Sequence, residues 1–101
     1  MSLKIFDLTG KVAMVTGSTK GLGETSAKAL AKAGANVAVC GRNPDDLKRV
    51  PAEIKALGRD SAGFELDVLS KAKVEKGVEQ ILNHFGRIDI LVNNAGTNYR
   101  V

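Results

Sequence analysis

The chain has 101 residues, 44% of them hydrophobic and 26% charged, which allows one domain at most and argues against disorder. The net charge of +4 suits an anionic ligand, but Lys and Arg are scattered, with no basic run and no interleaved aromatics, which argues against nucleic acid as partner. No stretch approaches the 18 apolar residues of a membrane span, and the single cysteine excludes an internal disulfide and fits a reducing, cytoplasmic compartment.

The first element is a short apolar run, Val12-Ala13-Met14-Val15, that reads as a buried strand ending at Thr16-Gly17. Gly17, Gly21 and Gly23 follow in the pattern G-x-x-x-G-x-G. An Ala-, Lys- and Leu-rich segment, residues 22–32, then reads as a helix stopped by Gly34, with Leu22, Ser26, Leu30 and Ala33 expected on one side. A strand, a glycine turn and a helix in succession present free backbone N–H groups at a helix N-terminus, where the dipole favours a phosphate. The spacing is not the G-x-G-x-x-G of the general dinucleotide fingerprint, so the turn alone leaves open a loop that binds nothing.

Residues 36–40 form the second strand, carrying Cys40 as a buried structural thiol. Asn43 reads as a helix cap with Pro44 at the first helical position and Asp45-Asp46 in the first turn. Leu47, Val50, Ile54 and Leu57 mark the apolar stripe of this second helix. Pro51 lies inside that stripe, so the expectation is a break or kink at Val50-Pro51. Residues 62–66 read as a less hydrophobic edge strand. Ser70 caps a third helix whose buried side is Val74, Val78, Ile81, Leu82 and Phe85, with His84 exposed near its end. As the only histidine, His84 has no partner for a metal site or a triad. Residues 88–92 form a fourth strand, followed by Asn93-Asn94-Ala95-Gly96. Four strands alternating with three helices imply an α/β fold with a parallel sheet and right-handed crossovers.

TGSTKGLG at Thr16 to Gly23, Asp67-Val68 and NNAG at Asn93 to Gly96, in this order and at about this spacing, resemble the short-chain dehydrogenase/reductase family over nearly the whole chain. Within it the chain is similar to gluconate 5-dehydrogenase-type and 3-oxoacyl-carrier-protein reductase-type members. The resemblance implies a Rossmann-type sheet of order 3-2-1-4 with helices on both faces. The two glycine-bearing motifs would then face each other across a switch-point crevice between strands one and four. It also implies a nicotinamide dinucleotide as ligand, held by Gly17, Ser18, Thr19, Lys20, Gly21, Leu22, Gly23, Arg42, Asp67, Val68, Asn93, Ala95 and Gly96. Gly17, Gly21 and Gly23 cradle the pyrophosphate in this reading. Ser18 and Thr19 are loop hydroxyls that either bond phosphate or are simply solvated. Asp67 accepts from the adenine amino group or merely leads into the third helix. Val68 adds an apolar contact. Asn93 lies near the ribose, or forms a simple turn, while its neighbour ties strand four to its surroundings. Gly96 admits the nicotinamide side.

Where an NAD enzyme carries a carboxylate after the second strand, this chain has Gly41 and then Arg42, and Lys20 adds a second positive charge, so NADP(H) is expected over NAD(H). The family's catalytic Ser, Tyr-x-x-x-Lys pair and assisting Asn lie beyond the NNAG strand. No residue here matches them, and Tyr99 has no Lys at the required offset. The expectation is therefore an N-terminal dinucleotide-binding portion, residues 1–101, truncated before the catalytic half, inactive alone and associating with a second copy through its bare fourth strand. The alternatives are a stand-alone nucleotide-binding or regulatory module and a non-functional fragment.

Overall fold

A computed structural model describes residues 7–94. Seven elements alternate strictly: β1 (Val12–Thr16), α1 (Gly21–Lys32), β2 (Asn36–Gly41), α2 (Pro44–Lys55), β3 (Ser61–Glu65), α3 (Lys71–Phe85) and β4 (Ile90–Asn93). The sheet has the order β3-β2-β1-β4, all parallel, with Ala13 opposite both Val37 and Ile90. The expected Rossmann-type order is thus the observed one. β3 and β4 start and end within two residues of the expected bounds.

The central strands β1 and β2 are buried on both faces, as crossover helices require. On one face Ala13, Val15, Val37 and Val39 meet Ala27 and Ala31 of α1 and Val50 and Ile54 of α2. On the other, Met14, Ala38, Cys40, Phe64 and Leu66 meet Ile81 of α3. Burial pushes the Cys40 thiol up to about 12, so it stays protonated and packs as a small hydrophobe. His84 lies at the rim of this second core, edge-on to Phe85 and Phe64 and 3.3 Å from Asp60. Asp89 fixes the start of β4 against β1: its backbone N–H donates to the Val12 carbonyl at 2.8 Å and its carboxylate accepts from the Val12 N–H at 2.9 Å. Arg87, 2.8 Å from that carboxylate, holds it charged by lowering its pKa.

The capping expectations for α2 and α3 hold. The Asn43 side chain accepts from the N–H groups of Asp45 and Asp46, and that of Ser70 from Lys73. The buried side of α1 differs from expectation. It is Gly23, Ala27 and Ala31, and Leu22 is 80% exposed. Small residues win because α1 lies close against the sheet, where a leucine does not fit. Leu57 and Leu82, expected in the helical stripes, are 42% and 43% exposed.

The expected break at Pro51 does not occur, and α2 runs unbroken from Pro44 to Lys55. Pro51 has no N–H to give the Leu47 carbonyl four residues back. That carbonyl instead abuts Gly63 of β3, where a Cβ would come within 2.2 Å of the Leu47 oxygen. The glycine puts only a hydrogen there, which lets the two backbones approach at this point. Val50, Pro51 and Ile54 are all buried, and this packing offsets the local penalty. Replacing Gly63 by Ala should push α2 off β3 and cost about 1–3 kcal/mol, read as a lower urea midpoint with the fold retained. An unchanged midpoint would show that the close approach is dispensable.

Candidate functional site

The β1–α1 turn is built on one backbone contact. Gly17, with φ of 61°, turns the chain out of β1, and Gly23 of α1 then lies directly on it. A Cβ on Gly23 would be 1.8 Å from the Gly17 carbonyl oxygen, so only glycine fits. Between them Lys20 caps α1 in an extended conformation with no side-chain cap, which leaves the first-turn N–H groups of the helix without a capping side chain.

The Ser18 side chain is not a solvated loop hydroxyl. It is fully buried, its Oγ accepts from the Cys40 N–H at 2.9 Å, and its own N–H donates to the Cys40 carbonyl at 3.1 Å. These two bonds tie the loop to the end of β2, beside Gly41 and Arg42. At the next junction the Leu66 N–H donates to the Gly41 carbonyl at 2.9 Å, and Asp67 turns the chain by accepting from the Leu69 N–H at 3.0 Å.

These three strand ends enclose a cleft of about 390 Å³. Gly17, Thr19 and Lys20 line it from the first turn, Gly41, Arg42 and Asn43 from the second, and Leu66 to Leu69 from the third. Of the expected site residues, Gly17, Thr19, Lys20, Arg42, Asp67 and Val68 therefore converge. Leu22 stands exposed at the start of α1, and Gly21 and Gly23 shape the turn from behind.

The far wall of the crevice expected between β1 and β4 includes Ala95 and Gly96, which lie outside the described residues. The cleft opens on the β1–β2–β3 side, and Asn93 is not in its wall. Asn93 and Thr16 are register partners at the ends of those two strands. The Thr16 hydroxyl donates to Asn93 Oδ1 at 2.9 Å and accepts from the Asn94 N–H at 3.1 Å. Both asparagines thus tie β4 to β1, because strands neighbouring in the sheet bring their ends within hydrogen-bond reach.

Sequence reasoning missed Arg49, whose guanidinium bonds both Glu24 and the Thr19 carbonyl. Its only local signal is acidic neighbours at helical spacing, which fits any solvated helix face. Among the described residues no group of three metal-ligating side chains forms, and no helix is long and apolar enough to cross a membrane.

The short chain dehydrogenase family model matches residues 11–101. The chain belongs to the short-chain dehydrogenase/reductase family. It is 42% identical over 97 residues to 2-dehydro-3-deoxy-D-gluconate 5-dehydrogenase of Formosa agariphila, covering 95% of this chain and 37% of that protein. It is 44% identical over 90 residues to the 3-oxoacyl-[acyl-carrier-protein] reductase of Aquifex aeolicus, covering 88% of this chain and 36% of that one. The crystal structure of hydroxysteroid dehydrogenase from Escherichia coli superposes with a TM-score of 0.86 at 36% identity, over 90% of this chain and 39% of that one. The chain thus spans little more than a third of the length of these short-chain dehydrogenase relatives.

Glu24, in the first turn of α1, is held at about 2 by its hydrogen bond from Arg49 and then by Lys28. A carboxylate depressed from 4.5 in the folded chain stabilises the fold above pH 4.5 and loses that contribution as pH falls toward 2. Glu24→Gln should therefore be less stable than the parent at neutral pH, with the two converging near pH 2, as checked by urea unfolding across that range. A constant difference at all pH values would sink this assignment.

Proposed function

We propose that this chain is the nucleotide-binding portion of a short-chain oxidoreductase and takes NADP(H) in preference to NAD(H). The observation that carries the reading is the pair of cations, Lys20 and Arg42, lining one cleft in which the end of β2 offers no carboxylate. A ribose 2′-phosphate would be repelled by an acid there and is matched by a guanidinium and an ammonium. The cleft also suits the rest of a dinucleotide. The Gly17–Gly23 turn leaves room for pyrophosphate at the N-terminus of α1, Asp67 offers an acceptor to an adenine amino group, and Leu66, Val68 and Leu69 supply an apolar wall. When bound, the dinucleotide supplies or accepts the hydride that interconverts an alcohol and a carbonyl. In this reading the proton-transfer groups come from outside residues 1–101, in keeping with relatives nearly three times as long.

Titration should give NADPH the tighter binding by roughly two orders of magnitude over NADH, since each hydrogen bond to a charged group is worth about 1.5–3 kcal/mol. Arg42→Ala and Lys20→Ala should each erode that preference while leaving NADH affinity unchanged. Equal affinity of the parent for the two would refute the preference.

The reading extends to self-association. β4 stands at the sheet edge with Leu91 64% exposed, and an apolar edge strand is a template for a second copy. Sedimentation of the purified chain should show dimers or larger species, and a stable monomer at micromolar concentration would end this part of the proposal.

A further inference from the structure

The charged groups behind the glycine loop converge on one guanidinium. Arg49, midway along α2, reaches α1 with a fork: Nη1 donates to Glu24 Oε2 at 3.1 Å and Nη2 to Glu24 Oε1 at 3.2 Å. Nη2 also donates to the Thr19 carbonyl at 3.2 Å. Asp46 and Glu53 flank the same group at 3.5 and 3.4 Å, and Lys28 joins Glu24 at 2.6 Å and also pairs with Glu53.

Exposed ion pairs contribute little to stability by themselves. The bond to Thr19 differs because it acts on the backbone of a loop. A trans peptide is planar, so a fixed Thr19 carbonyl also fixes the Lys20 N–H, which points the opposite way. The Thr19–Lys20 segment lines the cleft beside Arg42, and Lys20 has no side-chain cap of its own to set its conformation.

We propose that Arg49 is a positioning residue for the cleft: it clamps the Thr19–Lys20 edge and the first turn of α1 to α2, and so presets the loop for an anionic nucleotide. This rests on the dinucleotide reading above. Arg49 has a second effect by charge. Glu24 is ionised at neutral pH and stands in the helix turn next to the anion site, where it would repel the ligand. The guanidinium, together with Lys28, offsets that charge. Lysine cannot replace arginine here, because one ammonium cannot grip both carboxylate oxygens and the carbonyl in a fixed plane.

The test compares Arg49→Ala, Arg49→Lys and Glu53→Gln with the parent. Two measurements are made: amide hydrogen exchange without ligand, and NADPH titration. Arg49→Ala should speed exchange of residues 20–24 about tenfold, leave β2 and β3 amides protected as in the parent, and weaken NADPH about tenfold. Arg49→Lys should follow Arg49→Ala in exchange and recover part of the affinity through its charge. Glu53→Gln, which removes a partner of Arg49 that does not touch the loop, should bind NADPH as the parent does. Parent-like exchange at residues 20–24 in Arg49→Ala, or parent-like behaviour of Arg49→Lys in both measurements, would overturn the clamp. Failure of the parent to bind NADPH would instead remove the dinucleotide reading, and the exchange comparison would still decide whether the clamp exists.

Discussion

The contact of Gly23 with the Gly17 carbonyl sets the distance between α1 and the sheet. With no side chain at that point, the helix comes down onto its own preceding turn, and Ala27 and Ala31 continue the close approach along its length. The consequence is mechanical. A helix seated this close directs its N-terminus at the strand ends, where Ser18 locks the loop to β2 through the Cys40 backbone. Sheet order supplies the rest. Because β1 is flanked by β2 on one side and β4 on the other, the first turn meets the β2 and β3 turns in a cleft, while β4 is joined to Thr16 by direct hydrogen bonds.

The parts of this arrangement that were legible in the sequence are those determined locally. Alternating apolar runs and helical stripes gave the seven elements. Asn43-Pro44 and Ser70 marked helix starts, because a cap needs only residues two or three positions away. Six of the thirteen expected site residues line one cleft for the same reason: in a parallel sheet every strand ends at the same side, so residues following successive strands meet. The packing of α1 was less legible. Periodicity rewards Leu22 and Leu30 for being apolar, whereas the sheet selects for small size at Gly23, Ala27 and Ala31. Hydrophobicity and volume are different requirements, and a close helix–sheet approach puts volume first.

Pro51 shows the other limit. Read along the chain, a proline in a helical stripe costs a backbone hydrogen bond and signals a break. Read across the fold, the Leu47 carbonyl that lost its donor meets a glycine of the next element, and the ring is buried along with Val50 and Ile54. Pro51 and Gly63 are each unfavourable for their own element and compatible only together. Their compatibility is a property of how α2 packs on β3, which no window of sequence contains. Ser18 is a similar case: its hydroxyl looked available because its strand partner, Cys40, is 22 residues away.

Charge follows the same division between composition and placement. A net charge of +4 spread along 101 residues identifies no ligand. The fold sorts it. Lys20 and Arg42 project at the lip of the cleft, while Glu24, Glu53 and Asp46 are gathered on the α1–α2 side around Arg49 and Lys28. An anion site is favoured by positive charge at its mouth and by compensation of the carboxylate nearest the anion. The acid in the first turn of α1 favours the helix dipole but opposes an anion at the same helix end. Neutralising it from behind, with cations that do not themselves line the cleft, lets one helix terminus satisfy both demands.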